Sequence, residues 1–233
     1  MRIHLRGVVT VLLPGTGSDD DYLRRVFAGP LEQEGAVLAA VPPRADDLIR
    51  GYRQGLDEAS LAGPIVVGGV SIGAVVAVRW ALDHPDRVVA VLAVLPPWTG
   101  TPDSAPAALS AQHTAAQLRR AGLAATTAAM RSSSPPWLAG ELTRSWRRQW
   151  PDLPDAMEEA AAYPGPSTAE LRRLAAPMGV VAATDDLIHP MEVADEWVAS
   201  VPRAALRTVT LEQFGPDPEV LGAAGVAALK AID

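Results

Sequence analysis

Ser71 lies in the run Gly69-Val70-Ser71-Ile72-Gly73, a spacing that can expose a serine hydroxyl as the nucleophile of an acyl transfer. Apolar Ile65-Val66-Val67 precedes the run and a helix-like stretch from Ile72 to Leu82 follows it. Strand, sharp turn and helix therefore come in order. A serine hydroxyl is a weak nucleophile until a neighbouring base takes its proton. The chain has four histidines that could act as that base, His4, His84, His113 and His189. His84 is thirteen residues past Ser71 on a helix, about 20 Å away at 1.5 Å per residue. His4 precedes the strand-like run Val8–Leu13 and so stands at its wrong end. His189 and His113 remain. His189 closes the loop Asp185-Asp186-Leu187-Ile188-His189-Pro190, and its structural alternative is a residue that introduces a helix. His113 falls in a helical segment that could overhang a pocket, or simply face solvent.

Two other groups bear on the same chemistry. Pro14-Gly15-Thr16-Gly17-Ser18 follows Val8–Leu13 directly, and its glycines would let backbone N–H groups approach an anionic oxygen. The Ile72 N–H, at the start of a helix, would point the same way. A phosphate cradle is the rival for this loop. It lacks the third glycine of a dinucleotide fingerprint and the Gly-Lys-Ser/Thr of a P-loop, and Asp19-Asp20-Asp21 would repel phosphate. Those aspartates suit a capped helix start instead. Asp217 could serve as a base, but Asp217-Pro218 fits a helix N-cap better.

The elements that must position these residues alternate. Strand-like runs are Val8–Leu13, Val37–Val41, Ile65–Gly69, Val88–Leu95, Met178–Ala183 and Leu206–Leu211. Helical patterns cover Asp21–Glu34, Asp46–Leu61, Ile72–Leu82, Met191–Ser200 and Pro218–Ile232. That alternation predicts an α/β fold with a mostly parallel sheet of about six strands, flanked by helices. It breaks once. After Leu95 no strand pattern returns until Met178, and Ala107–Met130 and Leu138–Trp150 read as helices. Residues 97–175 are expected to form a helical cap over a core made of residues 1–96 and 176–233. Trp146 and Trp150 share a helix face there, either to line an apolar pocket or to pack the cap onto the sheet. Arg144, Arg147 and Arg148 are expected to form a solvated face.

Composition narrows the partners. Hydrophobic residues make up 48%, the formal net charge is −7, and no basic cluster suggests a nucleic-acid surface. The longest apolar run, Val88 to Leu95, is too short to span a bilayer. With no apolar leader at Met1–Gly7, a cytoplasmic location is the expectation. The absence of cysteine excludes disulfides and thiolate metal sites. No cofactor is expected.

Taken together, the Pro14–Gly17 loop, the Ser71 elbow, the Asp83-His84-Pro85-Asp86-Arg87-Val88 segment and the acidic loop before Pro190 resemble the α/β-hydrolase superfamily over nearly the whole chain. The resemblance implies Ser71 as nucleophile, Thr16 and Ile72 N–H groups as oxyanion hole and Asp186 as the acid, with Asp185 as its alternative. It also implies a departure. The family places histidine after glycine in the loop behind the last strand, where this chain has Gly215-Pro216. Proline carries no base, so the usual triad is incomplete there, and His189 is preferred as substitute. The function implied is hydrolysis of a carboxylic ester or thioester with a small, apolar or uncharged substrate. Two alternatives stay open: a non-catalytic protein that keeps the pocket for a ligand or partner, and a cofactor-free lyase, cyclase or isomerase.

Overall fold

The computed structural model describes residues 3–232 and sets the β-branched runs side by side in one sheet. Met1, Arg2 and Asp233, which end the two expected core segments, lie outside the described residues. The strands are β1 (Val9–Leu13), β2 (Val37–Ala40), β3 (Ile65–Val70), β4 (Val88–Val94), β5 (Met178–Ala183) and β6 (Ala204–Val209). They run in the order β2-β1-β3-β4-β5-β6, and every neighbouring pair is parallel.

Helices α1 (Asp20–Gln33), α2 (Leu48–Ala59) and α3 (Ile72–Asp83) alternate with the first four strands. Helices α4 (Pro106–Ser133), α5 (Pro136–Gln149), α6 (Leu153–Ala162) and α7 (Thr168–Leu171) follow β4, and α8 (Met191–Ser200), α9 (Leu211–Phe214) and α10 (Glu219–Lys230) complete the chain. Side chains alternate across a strand, and the core divides accordingly. Leu12, Val66, Leu92 and Val181 pack with Phe27 of α1 and Leu229 of α10. Val11, Val67, Val91 and Val180 meet Tyr52 of α2, Trp80 of α3 and Trp197 of α8 on the other face. Both faces are covered, so the central strands are apolar throughout.

The chain leaves β1 toward β2 on one side and crosses back to β3 on the other. The carboxyl ends of β1 and β3 flank that reversal, which is where open parallel sheets form their crevice. Leu13 pairs with Gly69, which puts the loop after β1 beside the Ser71 elbow.

Three sequence expectations change in detail. The last strand is Ala204–Val209, two residues earlier than expected, because Thr210 caps α9 instead of extending the strand. Thr210 Oγ1 accepts from Gln213 N–H (3.2 Å) while Gln213 Oε1 accepts from Thr210 N–H (2.9 Å), a capping box. The helix expected to end at Met130 runs from Pro106 to Ser133, but Gly122 breaks it with φ 77° and ψ 171°. Between β4 and β5 the described residues also form α6 and α7, which the proline-rich sequence had hidden.

Candidate active site

Two glycines shape the elbow. A Cβ on Gly73 would lie 2.1 Å from the Leu13 carbonyl oxygen, and one on Gly69 would lie 2.4 Å from the same atom. Neither distance is compatible with a side chain, so helix α3 starts hard against β1. Between them Ser71 takes φ 54° and ψ −120°, a conformation rare for a residue with a side chain. Such backbone costs on the order of 1–3 kcal/mol and persists only where the surroundings enforce it. The residue after β4 is also left-handed. Leu95 has φ 51° and lines the cavity beside Ser71.

The loop after β5 reaches Ser71 from across the sheet. Ser71 Oγ lies 2.9 Å from His189 Nε2, and His189 Nδ1 lies 2.7 Å from Asp186 Oδ2. An Nδ1–H donated to the carboxylate leaves Nε2 as the acceptor for the serine hydroxyl. Asp186 also builds the loop that carries it. Its Oδ1 accepts from Ile188 N–H (2.8 Å) and His189 N–H (3.4 Å), the local turn an aspartate side chain favours. Burial alone would raise the Asp186 carboxyl, but the hydrogen bond and charge of His189 and those two N–H groups hold it below its ordinary value. It is therefore ionised when it meets the imidazole.

Asp185, the alternative acid, turns the other way and accepts from Leu211 N–H (2.8 Å). His113 lines the cavity but lies 3.4 Å from Gln117 Nε2, not against Ser71. His84 Nδ1 sits 2.9 Å from the Trp80 carbonyl and its ring stacks on Trp80 at 4.4 Å. Asp217 Oδ1 accepts from Glu219 N–H (3.3 Å) at the start of α10.

The loop after β1 faces the serine. Ser18 N–H donates to Gly15 O (3.0 Å) with Gly17 at φ 73°, the left-handed third position that a glycine fills without strain. Tyr52 Oη donates to Pro14 O (3.2 Å) and Gln149 Nε2 donates to Ser18 O (3.0 Å), so the loop is held at both ends. The N–H groups of Thr16 and Ile72 have no acceptor among the described residues. They remain available to an oxyanion.

Above the loop, one of the three arginines expected on a solvated face, Arg144, does something else. Arg144 Nη2 contacts Glu141 (2.7 Å), Asp19 (2.9 Å) and Asp21 (3.1 Å), and Arg25 pairs with the far oxygen of Glu141. Asp19 also caps α1, accepting from Tyr22 N–H (3.1 Å). Charges from α1 and α5 thus close on each other, and their chain separation is why the sequence did not show it. Arg148 reaches Asp19 at 3.5 Å with its side chain more than half exposed, and Arg147 is exposed. The two tryptophans also part company. Trp146 is buried beside Leu118, Leu153 and Met157 and lines the cavity, while Trp150 is exposed at the end of α5.

The cavity is about 840 Å³ and lies between the sheet edge and helices α4 and α5. None of its lining residues, among those described, is arginine or lysine. Its carboxylates are engaged: Asp186 by His189, and Glu141 by Arg25 and Arg144. Among the described residues no cluster of three His, Cys, Asp or Glu could hold a metal ion, and no helix is long and apolar enough to cross a membrane.

No curated protein matches the sequence. Among solved structures the fold is similar to a thermophilic esterase from Thermogutta terrifontis, with TM-score 0.70 and 19% identity over 94% of this chain and 88% of that one. It is similar to the enol-lactonase from Burkholderia xenovorans at TM-score 0.67 and 17% identity, covering 88% and 83%. A structure from work on carboxylesterases of Nitrososphaera gargenis has TM-score 0.70 and 18% identity over 88% and 82%. Likeness at these identities speaks to fold. The family model described as "Alpha/beta hydrolase family" matches residues 3–223, and with that match over nearly its whole length the chain belongs to the α/β-hydrolase family.

Proposed function

We propose that this protein is a serine hydrolase of uncharged carboxylic esters, with Ser71, His189 and Asp186 as its triad. The observation that carries the reading is the continuous hydrogen-bonded line from Ser71 Oγ through the His189 ring to Asp186. His189 Nε2 takes the hydroxyl proton as Ser71 Oγ bonds to the ester carbonyl carbon. Thr16 and Ile72 N–H groups hold the resulting oxyanion. His189 returns the proton to the leaving alkoxide as the C–O bond breaks, and water then releases the acid by the same steps in reverse roles. Residues 97–175 act as a cap in this scheme, supplying most of the cavity wall. The cation-free lining supports an uncharged substrate, since a carboxylate or phosphate would find no counter-ion there.

The test is turnover of a panel of unactivated esters by the wild type and Ser71→Ala. Hydrolysis that disappears with Ser71→Ala supports the reading. Equal rates for the two proteins would contradict it, since an oxyanion hole without its nucleophile retains only some 10³–10⁴ over water.

A further inference from the structure

The cavity is larger than a short ester requires. Small-molecule pockets run from roughly 300 to 1,000 Å³, and this one, at about 840 Å³, falls near the upper end. Its long wall is helix α4, which presents Ala121, Ala125 and Ala129 to it on both sides of the Gly122 break, while the first half of the helix lines it with the polar Ser110, His113, Thr114 and Gln117. At 1.5 Å per residue that alanine track covers roughly 12 Å of helix, bent at Gly122. Ala121, Ala125 and Ala129 are exposed, so these methyl groups form accessible wall and not packed core. Met130, Leu142, Trp146 and Met157 supply further apolar lining.

The chemistry orients the substrate in this space. The imidazole must face the leaving oxygen to protonate it. Its loop is the open rim of the site, with Leu187 88% and Ile188 41% exposed. The leaving alcohol therefore points to solvent, and the acyl group points away from His189.

We propose that the acyl part of the substrate is an extended, uncharged hydrocarbon chain that lies along Ala121, Ala125 and Ala129 of α4, across Gly122. This rests on the hydrolase reading above. Each methylene buried is worth roughly fourfold in binding, so the chain-length profile should be steep.

The experiment measures kcat/KM for p-nitrophenyl acetate, butyrate, octanoate and laurate, and for alkyl acetates of matching length. Ala125→Trp fills the track at an exposed position, and Ala128→Trp, exposed on the same arm but outside the lining, is its control. Circular dichroism checks that both variants are folded. The wild type is expected to favour octanoate over acetate by about 100-fold or more, within the ceiling of about 4,000-fold that six methylenes at roughly fourfold each allow. Ala125→Trp should cut the octanoate-to-acetate ratio by at least about tenfold, with Ala128→Trp leaving it unchanged. A flat acyl series with measurable acetate turnover would overturn the chain proposal and leave the hydrolase reading standing. So would a length dependence confined to the alcohol series. Absence of turnover at every length would defeat both.

Discussion

The loops after β5 and β6 leave the same edge of the sheet and differ in what they carry. In the α/β-hydrolase pattern the second loop carries the histidine. Here it carries Gly215-Pro216, a capped turn of helix and two cavity-lining side chains, Leu211 and Phe214. The first loop holds both the proposed acid and the proposed base, three residues apart, folded on the Asp186 side chain. The two remain joined, because Asp185 of the first accepts the Leu211 N–H of the second. Under the proposed triad, a base is defined by where its nitrogen stands over the serine, not by the strand it follows. Gly215 itself is tightly enclosed: a Cβ there would lie 2.4 Å from Trp137 Nε1. The second loop has become wall.

The contrast can be broken most severely at His189. His189→Ala should lower kcat about 10⁴–10⁶-fold, while Pro216→His added to that variant should recover less than about tenfold, because Pro216 is exposed and outside the lining of the cavity that Ser71 faces. A large rescue, measured by steady-state hydrolysis, would mean that the second loop had kept its catalytic role. Next comes the pair of neighbouring aspartates. Asp186→Asn should cost on the order of 10⁴ in kcat, and Asp185→Asn less than about tenfold, since the asparagine Oδ1 can still accept from the Leu211 N–H. Comparable losses at both would erase the distinction drawn between them.

Smaller effects separate the loops by stability. The Asp186 carboxyl is held below its ordinary value in the folded protein. Its ionised form therefore stabilises the fold fully above the ordinary carboxylate range, and that contribution disappears as pH falls through the lowered value. Thermal unfolding followed from pH 6 down to about pH 2.5 should show an acid limb that Asp186→Asn makes shallower. An unchanged limb would count against the His189–Asp186 contact in solution. Thr210→Ala, which removes the cap of α9, should cost only about 1 kcal/mol in denaturant unfolding and change kcat little.

Much of this was legible in the sequence where the physics is local. The Ser71 elbow could be read because a strand, a tight turn needing Gly69 and Gly73, and a helix are consecutive. The glycines after β1 announced a backbone donor loop for the same reason. His189 was harder, since only the fold could show whether Asp186 would turn its imidazole toward Ser71 or leave it to introduce α8. The Arg144 cluster was out of reach. Its partners Asp19 and Asp21 are more than a hundred positions away in the chain, and a basic helix face looks the same whether solvated or paired. The length of the alanine track was hidden too, because Gly122 within a helical pattern gives no sign of the direction in which α4 bends.

The most direct test of the central claim is the rate at which a fluorophosphonate labels Ser71, followed by intact mass and peptide mapping, in wild type and His189→Ala. The account predicts a single adduct on Ser71 in the wild type, formed at least about 10³ times faster than in the variant. Equal rates in the two proteins, or no adduct on Ser71 at all, would contradict it.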